Sequence, residues 1–311
     1  MDRSCIPASP LWDSGGDLDY FLAIQESQPA DRPDHSVQKW DQRAESWEKE
    51  RSRGEKGEDR IRSTLAYLEQ RGLLRPEYRI ADIGCGPGRF AVAFARRVHW
   101  VTGFDLSPRM IHYGMEHARR EGVENVTLRA CDFQTLDVRQ EGLESAFDLV
   151  FSSLTPAIHG RAGLEKVMAM SRAYCCNITH IAHENSLRRQ IREQLFGRPA
   201  TSHWGWRWFY SLFNVLLLLG YLPEASYDHR LQERRVRPEA GYAALTMEHI
   251  LPPEERTPAN QALILAWMEA HADKDGLLTE TTRACYGRIL WDVQTRLPPG
   301  ALPGDRKETK P

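Results

Sequence analysis

The sequence predicts an α/β protein with a doubly wound, mostly parallel sheet, and three observations lead there. Apolar strand-like runs alternate with helical stretches from residue 78 to residue 184, which implies right-handed β–α–β crossovers. The first of these runs, YRIADIG (78–84), passes directly into a glycine-rich turn and then a helix. The chain has 311 residues, enough for one large α/β domain or for a core with substantial additions.

Residues 1–34 are rich in Pro, Asp, Ser and Gly with little periodicity, and are expected to form a flexible arm. Residues 35–78 carry two helical stripes, Val37, Trp40, Ala44 and Trp47 in the first and Ile61, Leu65 and Leu68 in the second, which ends near Gly72. Within 79–184, helices are expected at 89–97, 108–120 and 163–173, and strands at 100–106, 125–132, 147–154 and 175–184. Ser107 followed by Pro108 reads as an N-cap with proline at the first helical position. The half from 185 to 297 is more helical, with helices at 186–196, 206–220, 238–250 and 257–272 and candidate strands at 226–237 and 284–294. The tail, 298–311, is expected to be disordered.

Bulk composition narrows the function classes. A net charge of -2 lacks the basic footprint of a nucleic-acid binder, so no nucleic-acid partner is expected. Six cysteines without a CxxC pair argue against a disulfide scaffold or a cysteine-rich zinc site. The N-terminus shows no apolar signal region, and the run LFNVLLLLGYL (212–222) is well short of the roughly 20 residues that a membrane span needs. A buried helix in a cytoplasmic protein without membrane contact is the expectation.

Backbone N–H groups in a glycine-rich turn between strand and helix let a ligand approach without meeting a Cβ. The dinucleotide pattern GxGxxG would need a third glycine at position 89, which is Arg89; the glycines here are Gly84, Gly86 and Gly88. Asp82 precedes them, and a carboxylate there opposes a pyrophosphate, which wants positive potential at a helix N-terminus. It suits a ligand with an ammonium group, such as S-adenosylmethionine. Asp105, 21 residues beyond Gly84 at the end of the second strand, can accept from both ribose hydroxyls. Asp132 and Phe133, after the third strand, can meet the adenine amino group and ring.

Residues 79–184 resemble the Rossmann-like class I S-adenosylmethionine-dependent methyltransferases, whose first motif, D/E-x-G-x-G-x-G, stands here as DIGCGPG (82–88). The resemblance implies a seven-stranded sheet with its last strand antiparallel, formed with 226–237 and 284–294, and a helical insertion between those two. It also implies that Gly84, Cys85 and Gly86 line the methionine end of the cofactor. Asp105 and Leu106 would hold ribose and adenine, Asp132 and Phe133 would border the adenine, and Ser152 would face cofactor and acceptor together. Segments before the first motif often cover the cofactor in this family, so the helix with Trp40 and Trp47 is expected to act as a lid.

The acceptor is written less plainly. Families that methylate exocyclic amines of bases or glutamine carry Asn/Asp-Pro-Pro-aromatic after the fourth strand, where this chain has SSLTPAIHG (152–160). A small-molecule acceptor is therefore expected, with an RNA or protein methyltransferase, a non-catalytic binding module and an NAD-dependent dehydrogenase as rivals. His159 and His183 are the candidate catalytic residues, as bases or acceptor contacts. His180 and His183 form an HxxH, but positions three apart on a strand face opposite ways, and no metal is expected. The cluster SHWGWRWFY (202–210) can build an acceptor pocket or dock a helix.

Overall fold

The computed structural model of the chain describes residues 14–26, 36–51, 58–199 and 205–297. Three helices come first: α1 (Ser14–Glu26), α2 (Val37–Arg51) and α3 (Glu58–Gln70). The alternating part follows as β1 (Arg79–Ile83), α4 (Arg89–Ala95), β2 (Trp100–Asp105), α5 (Pro108–Arg120), β3 (Val126–Ala130), β4 (Phe147–Ser153), α6 (Gly160–Met170) and β5 (Ser171–Asn185). The remainder is α7 (Ser186–Phe196), α8 (Gly205–Leu218), β6 (Glu224–Val236), α9 (Ala240–Ile250), α10 (Pro258–Ala270) and β7 (Leu278–Asp292).

The seven strands form one sheet in the order β3-β2-β1-β4-β5-β7-β6. The pairs β1–β2, β1–β4, β2–β3 and β4–β5 are parallel. Along β5 and β7 the contacts run in opposite senses: Val293 N donates to Ala173 O at 2.8 Å, whereas Asn185 Nδ2 meets Glu280 and Thr282. The mostly parallel sheet with an antiparallel late strand is as expected, and α9 and α10 are the insertion between β6 and β7. Strand order reverses between β1 and β4, and the carboxyl ends of strands at such a switch point open the crevice where ligands bind.

The described residues divide into two compact units, one lying within 1–179, 207–226 and 288–311, the other within 180–206 and 227–287. In the first, Ile80, Ala81 and Ile83 of β1 are fully buried, as a central parallel strand covered on both faces requires. Phe151 of β4 packs against Phe90 and Phe94 of α4, with ring centroids 4.8 and 4.9 Å apart. Asn125 ties the end of α4 to the start of β2 by donating to the carbonyls of Ala95, Val98 and His99. Leu212, Val215 and Leu216 of α8 are buried, so the apolar run at 212–222 serves as a packed helix. No helix among the described residues is long and apolar enough to cross a membrane.

In the second unit α7, α9 and α10 close a core of Leu187, Ile191, Met247, Ile264, Trp267 and Met268. Trp267 satisfies its indole N–H on Gln194 Oε1 at 2.9 Å. Glu280 of β7 is 1% exposed and is a hub for the unit. It accepts from Arg234 Nε, from Tyr242 Oη and, at 2.7 Å, from Asn185 Nδ2. Burial works against its charge, but those three donors outweigh it and hold the carboxyl below the usual range.

Several expectations change. The stretch read as a flexible arm contains α1, while 1–13 and 27–34 lie outside the described residues. Composition missed α1 because tertiary contacts hold it: Leu22 is buried, the Phe21 ring meets Tyr210 edge-on at 5.3 Å, and Phe21 O accepts from Ser211 Oγ. Helix α6 starts at Gly160 rather than 163, and β5 and β7 start earlier than the apolar pattern showed. The expected disordered tail, 298–311, and the Trp47 side chain lie outside the described residues.

Replacing the hub should expose its value. Glu280→Ala leaves an arginine, a phenol and an amide without their shared acceptor and should lower unfolding free energy by about 3 kcal/mol, read from a urea titration. A change under about 0.5 kcal/mol would show that the network contributes no net stability.

Candidate cofactor-binding site

Strand β1 ends by carrying Asp82 into the interior, 2% exposed, and the chain then turns through Gly84, Gly86 and Gly88 with φ of 68°, 53° and 70°. Those angles are left-handed and favour glycine. The loop is laced to the end of β2, since Gly84 N and Cys85 N both donate to Phe104 O, at 2.8 and 3.0 Å. Gly84 also answers a steric demand: a Cβ there would lie 1.9 Å from Thr155 Oγ1.

Asp105 organises the other side. Its Oδ2 accepts from Gly86 N at 2.8 Å and its Oδ1 from Ser107 N at 2.9 Å. Each carboxylate oxygen keeps a further lone pair for a hydroxyl donor. Ser107 caps α5 as expected, accepting from Met110 N at 3.0 Å, and its own hydroxyl donates to Asp41 of α2. Arg109 N adds a bond to the same Asp41 oxygen at 3.3 Å, so α2 is pinned to the N-terminus of α5.

The electrostatics favour a cation. Asp82 Oδ2 is buried and meets no donor among the described residues. Burial first, and then the neighbouring Asp105 charge, push the Asp82 carboxyl up to about 8. Asp105 is raised as well, by burial, against the opposing amide bonds from Ser107 and Gly86. An ammonium group would satisfy the orphaned oxygen, whereas a pyrophosphate would meet two acids. Arg89, the one cation in the turn, bonds Glu58 of α3 at 2.6 Å. The loop glycines, the orphaned acid and the half-used Asp105 carboxylate together fit S-adenosylmethionine.

The other candidates divide. Cys85 turns its thiol inward: a Cβ on Gly103 of β2 would come 2.8 Å from Sγ, so only the Cys85 backbone is available to a ligand. Leu106 is half-buried beside Asp105. Asp132 is exposed and accepts from Gln134 N at 2.9 Å, while Phe133 is 4% exposed. Ser152 is buried, and its Oγ accepts from Asn177 Nδ2 at 2.9 Å; Asn177 Oδ1 in turn accepts from Trp208 Nε1 at 3.3 Å. His159 precedes α6 in extended conformation in the first unit, with these residues. His183 belongs to the second unit, where its ring lies 6.0 Å from that of His180.

Sequence reasoning missed Thr155, Asn177 and Asp41, and saw Trp208 only as one ring of the 202–210 cluster. Thr155 reaches the loop because Leu154 takes a left-handed φ of 54°, which a leucine does not advertise. The Asn177 and Asp41 contacts join positions 25 and 66 residues apart, beyond any local pattern.

Comparison with known proteins agrees with this geometry. Residues 80–175 match the sequence model of the family described as Methyltransferase domain. The 23S rRNA (uracil(1939)-C(5))-methyltransferase RlmD of Klebsiella pneumoniae is 35% identical over 104 residues, 33% of this chain and 23% of that protein. The enzyme of the same name from Pectobacterium carotovorum is 30% identical over 132 residues, 41% of this chain and 28% of its own length. The chain thus spans about a quarter of the length of these curated relatives. Among solved structures, a putative methyltransferase from Bacillus halodurans is 15% identical with a TM-score of 0.47, covering 75% of this chain and 100% of that one. The YcgJ protein of Bacillus subtilis is also 15% identical, with a TM-score of 0.45, covering 74% of this chain and 98% of that one.

The relatives named act on ribosomal RNA, which corrects the expectation of no nucleic-acid partner and leaves the small-molecule acceptor without support. Net charge is a poor guide to such a partner because it averages the whole chain, whereas a nucleic-acid contact needs only a local surface. The missing Asn/Asp-Pro-Pro-aromatic segment also bears on amine acceptors alone, and the relatives are named for a carbon atom of uracil. Residues 80–175 thus match a methyltransferase domain, in keeping with the resemblance of their motifs to the class I, Rossmann-like, S-adenosylmethionine-dependent enzymes.

Proposed function

We propose that the chain methylates RNA. The observation that carries the cofactor half is the orphaned, buried Asp82 oxygen beside a glycine turn tied to Asp105. The acceptor half is supported by the identity with the ribosomal RNA methyltransferases.

In this reading Asp82 and the backbone of Gly84, Cys85 and Gly86 hold the methionine end. Asp105 takes the ribose hydroxyls, and Leu106, Asp132 and Phe133 border the adenine. Thr155, seated on Gly84, closes the turn from the β4 side, and the Trp208–Asn177–Ser152 chain keeps the end of β4 rigid. Helix α2, fastened by Asp41 to Ser107, is the lid over the ribose side. When bound, S-adenosylmethionine supplies a methyl group activated by its sulfonium. The residues of the chain then align acceptor and methyl carbon and exclude water, and alignment of this kind is worth roughly 7–11 kcal/mol. In this reading His159, which belongs to the same unit, serves as acceptor contact or base; a His159→Ala chain with unchanged turnover and acceptor affinity would remove it from that role.

The acceptor is tested with methyl-labelled S-adenosylmethionine and unmodified 23S ribosomal RNA transcribed in vitro. Label should enter the RNA and become soluble on ribonuclease treatment, and Asp105→Ala should weaken cofactor binding about tenfold or more. Label confined to protein or to low-mass products would refute an RNA acceptor.

The raised Asp82 carboxyl sets a pH signature. The ligand ammonium needs the ionised acid, so cofactor affinity should climb as pH rises toward about 8. Above that, the ligand amine loses its own proton, so the rising limb is the diagnostic part. Without cofactor the sign for stability is opposite. The unfolded acid ionises near its ordinary value, about 3.9, while the folded one keeps its proton to about 8, so Asp82 costs stability as pH rises between them. Asp82→Asn should flatten both slopes, measured by calorimetry and by urea midpoints; slopes unaltered in the variant would place the titration elsewhere.

A further inference from the structure

The second unit holds a cavity of about 550 Å³ that the cofactor site does not use. Strands β5, β6 and β7 supply its walls at 181–184, 229–231 and 283–285, and Trp206 at the start of α8 completes it. Two large apolar side chains at this cavity stay exposed, Trp206 at 44% and Leu231 at 66%. Exposed apolar groups around a concavity mark a binding surface.

The cavity carries charge of both signs, with Glu184, Arg230 and Arg283 in its lining. Arg189, Arg198, Arg230, Arg234 and Arg235 are each paired with a carboxylate. Arg283, exposed on β7 and lining the cavity, has no ion-pair partner among the described residues. His183 and His229 add two ring N–H groups to the same wall. A ligand with a flat, apolar body and an anionic group would satisfy both halves: the flat part on Trp206 and Leu231, the anion on Arg283.

We propose that this cavity binds one unstacked nucleotide of single-stranded RNA, with the base against Trp206 and its phosphate on Arg283. This rests on the RNA reading above and gives the chain an anchor separate from the cofactor turn. A volume of 550 Å³ is within the range for small-ligand pockets and suits one nucleotide. A base inside a duplex is already stacked and cannot enter, which makes the site selective for loops and single strands. Base stacking on an aromatic side chain is sequence-tolerant, and a guanidinium suits a phosphate by its fork of donors.

The test is fluorescence anisotropy of the full chain with labelled single-stranded oligouridine and with a duplex of equal length. Trp206→Ala and Arg283→Glu should each weaken single-strand binding about tenfold, with S-adenosylhomocysteine affinity unchanged as the control for folding. The duplex should bind about tenfold more weakly than the single strand. Single-strand binding by both variants within about twofold of the parent, or equal binding of the duplex, would overturn the pocket. The two proposals fail separately. If the variants lose single-strand binding but the parent methylates no RNA, the acceptor assignment falls and the pocket stands. If parent and variants bind and methylate RNA equally, the pocket falls and the acceptor stands.

Discussion

Asp105 sits where the glycine turn, the end of β2 and the start of α5 converge, and its carboxylate is bonded to two of them at once. One oxygen holds Gly86 and the other holds Ser107. Through Ser107 the connection extends to Asp41, and so to α2. A single acid therefore sets the shape of the turn, starts the following helix and locates the segment in front of the core. Charge-assisted hydrogen bonds to backbone amides are strong enough to do this in a half-enclosed place. The same acid, with Asp82 close by, makes the turn hostile to phosphate.

The selectivity follows from charge sign rather than from shape. A glycine turn ahead of a helix offers amides and a positive dipole end, which alone would favour an anion. A buried carboxyl, Asp82, and a half-buried one, Asp105, reverse that preference locally. Asp82 carries the larger burden, because one of its oxygens lacks a donor and burial holds its proton on to about 8. A buried group left in this state costs stability, and a cationic ligand end turns that cost into binding energy.

Much of this was legible before any coordinates. The alternation from β1 to β5, the Ser107 cap, the glycine turn and the placement of Asp82 and Asp105 at strand ends are local patterns, and local patterns survive folding. What escaped notice was nonlocal or compositional. Helix α1 forms because Phe21 finds Tyr210 and Ser211, some 190 residues away. Thr155 reaches Gly84 only through a left-handed leucine. Cys85 looks like a site residue by position, yet its thiol packs under β2. The expectation of no nucleic-acid partner failed for a further reason. Near-zero net charge hides the difference between arginines already neutralised, such as Arg234 with Glu280, and Arg283.

The turn at 82–88 is built for a cationic, phosphate-free nucleoside. Isothermal titration calorimetry of the full chain with S-adenosylhomocysteine and with NAD, each in two buffers of different ionisation enthalpy, tests it most directly. S-adenosylhomocysteine should bind saturably with a buffer-dependent heat that reports proton release from Asp82, and NAD should give no heat. Binding of NAD, or binding of S-adenosylhomocysteine with no proton released below pH about 8, would contradict it.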